Sequence, residues 1–168
     1  MPCGILVFVP EEDMMRCAML FRSWSVRRSA AGHYSFSNLH KKKIVDDAVC
    51  DLCGHNAETT THLLFKCPMA SSFWRAVGIQ IPPGFTVGSL HTLQAPPHVP
   101  AAHFETLVLL CCWQLWKRQN GIVFRQEHMT LHQFLAGCKA EARLWVARLP
   151  RQDIAVGDQW CSFFSLAM

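Results

Sequence analysis

The spacing C-x2-C-x8-H-x4-C, formed by Cys50, Cys53, His62 and Cys67 in "CDLCGHNAETTTHLLFKC", constrains this chain more than any other feature. Cys50 and Cys53 let one tight turn present two sulfurs to the same point, and Gly54 directly after them allows the backbone conformation that aims amide N–H groups at a thiolate. His62 and Cys67 complete a Cys3His set, and four such donors close a tetrahedron around Zn2+. The cysteine pair is set among Asp51, Gly54, His55 and Asn56, which are not the surroundings of buried free thiols. His55 is the competing ligand, but beside the knuckle turn it is expected to face solvent or to hydrogen-bond a sulfur. A redox C-x-x-C would need a βαβ context that is missing here.

His62 and Cys67 are five residues apart, so on an unbroken α-helix they would diverge by about 140° and could not share an ion. The helix must therefore break between them. Pro68 supplies the break, because it disfavours helical backbone at Cys67 and is itself favoured as the first residue of a new helix. The sequence thus predicts a short helix over "ETTTHLLFK", starting at Thr59 or Thr60. A second follows over "PMASSFWRAVG", ended by Gly78, with Cys67 at its N-terminal cap. There the helix dipole favours the thiolate that a metal requires. A closed four-ligand site leaves no coordination position for water, so it is structural and not catalytic.

The rest of the chain is read around this cluster. Half of the 168 residues are hydrophobic and Lys plus Arg exceed Asp plus Glu by 16 to 12, enough for a buried core but not the charge density of a dedicated nucleic-acid binder. Nine cysteines would form a disulfide framework only in a secreted protein, and "MPCGILVFVPEEDMMR" has neither the basic start nor the apolar run of a secretory signal, so an intracellular setting in nucleus or cytoplasm is expected. The most apolar window, "LVLLCCWQLW", is bracketed by Glu105 and by Lys117 and Arg118 and is too short to span a membrane.

Five stretches follow along the chain. Residues 1–32 are unassigned, with helix-like spacing of Met15, Met19 and Trp24. Residues 33–80 hold the metal module, with Ser37 as cap of a short helix through Lys41 to Lys43. Residues 81–100 carry five prolines and read as a linker. Residues 101–149 carry two helical patterns. The first runs from His103 to about Phe124 with an interruption near Asn120 and Gly121. The second runs from about Thr130 to Leu149, stopped by Pro150, with Leu131, Phe134, Leu135, Cys138, Ala142, Trp145 and Leu149 recurring at three and four. Residues 150–168 are apolar without a resolved period. The fold class expected is mainly α: a small Cys3His module with two short helices, then a hairpin-like helical region packed through Leu110, Trp113, Leu135, Cys138 and Trp145. Trp113 and Trp116 are read as core and not as a stacking platform.

The string "CDLCG…ETTTHLLFKCPMASSFW" resembles the zinc-binding domain at the C-terminal end of reverse transcriptases of plant LINE-type retrotransposons. "WQLWKRQNGIVF" and "AEARLWVARLP" are similar to the helical tail that often follows it, although the arginine usually found directly before the asparagine is replaced here by Gln119. The resemblance implies the same four Zn2+ ligands, Cys50, Cys53, His62 and Cys67. It implies no polymerase activity, since no carboxylate pair able to hold two metal ions is present, and it points to the non-catalytic end of such an element, as a fragment or a domesticated remnant. Lys41, Lys42 and Lys43, a few residues before Cys50, are the candidate contacts to the phosphates of RNA or single-stranded DNA. Two function classes are open: a weak nucleic-acid-binding module, or a zinc-stabilised structural or protein-interaction domain.

Overall fold

The computed structural model describes residues 49–50, 52–54 and 59–168. The expected helices around Met15–Trp24 and after Ser37 lie outside the described residues. Within them the fold is helical, with no extended strand, and no helix is long and apolar enough to cross a membrane.

The first regular element, His62–Lys66, is a π-helical turn, followed by α1 (Pro68–Ala76), a 3-10 turn (Val87–Thr92), α2 (Phe104–Arg125), α3 (Leu131–Val146) and α4 (Val156–Leu166). Helix α1 begins where Pro68 requires, with Cys67 as N-cap in extended backbone (φ −59°, ψ 136°). It ends in a Schellman motif: Ile79 N–H donates to Trp74 O (3.0 Å) and Gly78 N–H to Arg75 O (3.1 Å). Gly78 takes the φ of +73° that this closure demands. Phe73 and Trp74 of α1 are fully buried.

The proline-rich stretch 81–100 is an ordered strap. Phe85 and Val99 are buried, and Phe85 meets the edge of Phe65 with ring centroids 5.0 Å apart. Helix α2 runs unbroken through Asn120 and Gly121, against the expected interruption. A single glycine costs only about 1 kcal/mol in a helix, too little to break one that runs for 22 residues.

Helix α3 starts at a complete capping box, Thr130 Oγ1 accepting from Gln133 N–H (3.2 Å) and Gln133 Oε1 from Thr130 N–H (2.8 Å). It buries Phe134, Leu135, Cys138, Ala142 and Trp145, the middle of the predicted stripe, while Leu131 and Leu149 at its two ends are half-buried. It ends at Val146, three residues before Leu149, and two tight turns through Arg148 and Leu149 lead to Pro150.

The tail is a helix as well. Val156, Trp160, Phe163 and Phe164 are buried on one side of α4, a four-three-one spacing that is helical but carried by only eleven residues. Helix α2 packs on α3 as the expected hairpin-like pair and also on the π turn, and α4, which the sequence left unassigned, packs along α3 as a third helix. Trp113 departs from the core expectation. It is half-buried and stacked on Trp116 (centroids 5.3 Å apart, planes at 12°). The buried face of α2 belongs instead to Leu107, Leu110, Cys111 and Leu115.

Candidate metal centre

The four residues chosen by spacing converge. One donor atom from each of Cys50, Cys53, His62 and Cys67 lies within 4.8 Å of the other three. The knuckle is a hydrogen-bonded turn in which Cys53 N–H (3.2 Å) and Gly54 N–H (2.7 Å) both donate to Cys50 O, and Gly54 closes it at φ +67°. The amides that face the Cys50 sulfur are those of Leu52 and Cys53.

The second half of the site solves the five-residue problem in a way that the spacing only half foreshadows. Thr59 caps the turn, its Oγ1 accepting from His62 N–H (3.0 Å). The backbone then widens, and Cys67 N–H donates to His62 O (2.6 Å), an i→i+5 closure. A wider turn returns residues five apart to nearly the same side, so the π geometry aligns His62 with Cys67 before Pro68 redirects the chain. The Trp74 indole N–H donates to Leu64 O (2.6 Å) and satisfies a carbonyl inside the turn. Phe65 stacks on the same indole at 5.8 Å.

Cys50 and Cys67 are fully buried and His62 nearly so. The Cys50 and Cys67 side chains are hydrogen-bonded to each other. Cys67 is lowered to about 7, chiefly by accepting a hydrogen bond from Cys50; burial opposes this, and the N–H groups of Met69 and Ala70 at the start of α1 add to it. Cys50 is pushed far up, by donating that bond and by burial. Burial, assisted by the Lys66 charge, lowers the His62 pKa and keeps the imidazole neutral as a ligand must be. Its Nε2 is 3.4 Å from Cys53 Sγ, close to the edge of roughly 3.5 Å that Zn–S and Zn–N bonds give in a tetrahedron. Donor number, donor type and spacing therefore fit Zn2+, and three sulfurs with one imidazole nitrogen suit it better than a hard oxygen-seeking cation.

The family model described as zinc-binding in reverse transcriptase matches residues 14–74. Those residues are a zinc-binding domain of the reverse-transcriptase type. The domain match starts at Met14, inside the stretch whose residues alone suggest no likeness, and ends at Trp74, so the helical region from Phe104 onward lies beyond it. The matched model describes the zinc-binding domain and not a catalytic one. Neither a curated protein nor a solved structure matches the chain.

Lys41, Lys42, Lys43 and His55 lie outside the described residues. Beside the zinc-binding domain the structure shows a groove of about 700 Å³ between the π turn, α1 and the strap, lined by Phe65, Trp74, Pro82 and Phe85 and carrying Lys66 and Arg75. Both cations are exposed. They escape a search for charge runs because they stand nine residues apart, and only the turn at Cys67 brings them to one groove.

Proposed function

We propose that Cys50, Cys53, His62 and Cys67 hold one structural Zn2+ and that the module so ordered binds RNA or single-stranded DNA weakly, as the non-catalytic end of a LINE-type reverse transcriptase, a fragment or a domesticated remnant of such an element. The observation that carries the reading is the burial of two thiols and an imidazole around one point next to a groove whose lining holds two cations and no carboxylate. Zinc supplies cross-linking and charge neutralisation here, with no open position for a reacting group. Lys66 and Arg75, with Lys41, Lys42 and Lys43, are the phosphate contacts, and affinity rests on charge with little sequence preference.

Five phosphate contacts on a single strand imply a slope of about −3.5 in log K against log salt, of which Lys66 and Arg75 account for about −1.4. Fluorescence anisotropy with a labelled oligonucleotide, titrated with salt, tests this. Lys66→Ala with Arg75→Ala is expected to weaken binding at low salt and flatten the slope by that amount. An unchanged slope removes the groove from the reading, and absence of binding by the parent at low salt removes nucleic acid altogether.

One observation favours a second reading, a protein-interaction domain. Leu144 of α3 and Leu166 of α4 are 63% and 84% exposed. That reading expects no oligonucleotide binding at any salt concentration and partner capture lost on Leu166→Ser.

A further inference from the structure

Arg118 lies on the buried face of α2, 5% exposed. Its guanidinium sits 4.8 Å over the Phe134 ring, and Phe134 in turn meets Phe73 of α1 at 5.2 Å. Nη2 donates to Met129 O (2.9 Å), while Nε and Nη1 are buried with no hydrogen-bond partner. Arginine does not discharge itself by losing a proton, so a guanidinium in this position is a buried cation that costs several kcal/mol unless an anion answers it.

The described carboxylate side chains do not answer it. Glu141 is engaged by Lys117 (3.2 Å) and Trp145 (3.3 Å), Glu127 by Arg125 and Asp153 by His103 (3.0 Å), while Glu105 and Asp158 are exposed. Helix α2 packs on the π turn that leads into Cys67; burial lowers the Arg118 pKa, and negative charge at Cys138 or Cys67 would oppose that. Burial pushes the Cys138 thiol up to about 12, so it is neutral at physiological pH. Cys67 belongs to the metal centre, where three thiolates on one Zn2+ leave a net charge of about −1.

We infer that Arg118 is the counter-charge of the zinc–thiolate cluster, so that metal binding in the small module and the docking of α2 and α3 onto it are coupled through this one side chain. The inference rests on the zinc assignment above. It assigns Arg118 a positioning and electrostatic role, acting on the cluster through the packed face between α2 and the π turn, and it explains why a charge stands in phase with Leu107 and Cys111 on a buried helix face.

The test is a thermodynamic cycle on the full chain: zinc affinity by chelator competition and urea stability with and without zinc, for the parent, Arg118→Met and Arg118→Lys. Methionine keeps the apolar stem without the charge. Arg118→Met is expected to bind zinc about ten-fold more weakly, as loss of an outer partner of a metal ligand does. Without metal it should be no less stable than the parent, because an unanswered buried cation has been removed. Arg118→Lys is expected to recover most of the affinity. Equal loss of stability with and without zinc, at unchanged zinc affinity, would reduce Arg118 to packing and overturn the inference. Failure of the parent itself to bind zinc would overturn the zinc assignment instead.

Discussion

Cys111, Cys112 and Cys138 show what the same residue type does away from the metal centre. All three are buried; burial pushes Cys112 and Cys138 up to about 12 and Cys111 well above its ordinary value of 9.0. In the unfolded chain these thiols lose their protons near 9, while in the folded chain they keep them. The folded state therefore binds more protons above pH 9, and the stability these groups contribute, full below 9, is lost as pH rises through 12. Each contributes a slope of about −1.4 kcal/mol per pH unit in that window. Urea unfolding of the zinc-loaded protein between pH 8 and 10.5 is expected to show stability falling ever more steeply, and Cys138→Ala should remove about a third of the thiol contribution to that slope. A profile that stays flat to pH 10.5 would contradict the burial of these thiols. Neighbours in the sequence separate Cys50 and Cys53, set among Asp51, Gly54, His55 and Asn56, from Cys111 and Cys112, set among Leu109, Leu110 and Trp113, whereas Cys138, between Gly137 and Lys139, is marked as core by its place in the α3 stripe. Arg118 is harder to find, because its burial shows only once the phase of α2 is known.

Among the elements, α3 and α1 are legible in the sequence because each carries its own boundary signals: the Thr130 and Gln133 capping box for one, Pro68 and Gly78 for the other. The π turn is not, since nothing in "HLLFK" distinguishes an i→i+5 closure from an α-helical one; the demand comes from the metal donors on either side of it. Helix α4 is missed for a different reason. Its stripe is only eleven residues long, and Gly157 near its start argues locally against a helix. The structure gives that glycine a purpose. A Cβ there would lie 2.6 Å and 2.9 Å from the Val146 methyls, so Gly157 sets how closely α4 can lie on α3. Gly157→Ala is expected to destabilise the protein by about 1–3 kcal/mol through overpacking, read as a lower urea midpoint, and Val146→Ala added to it should restore part of the loss. If Gly157→Ala proved neutral or stabilising, the close approach of α3 and α4 would be wrong.

For the whole molecule, the spacing and the family match point to one Cys3His group, whose donor atoms converge, and the packing shows what that group joins: a knuckle, a π turn and α1, with α2 lying against the turn. A Cys3His site of this kind contributes an apparent binding free energy of order 10 kcal/mol, which is folding free energy for the segment it closes. The helical region carries its own buried stripe and meets the module where α2 lies against the π turn, and the coupling inferred for Arg118 would make its docking depend on the metal. Everything proposed for the module depends on the ion, so the decisive quantity is the metal content of the purified full chain, prepared without chelator, beside the Cys50→Ser variant. One equivalent of zinc in the parent and a marked loss in the variant are expected. Less than about half an equivalent in the parent, or full retention by Cys50→Ser, would contradict the claim that these four residues form a zinc site.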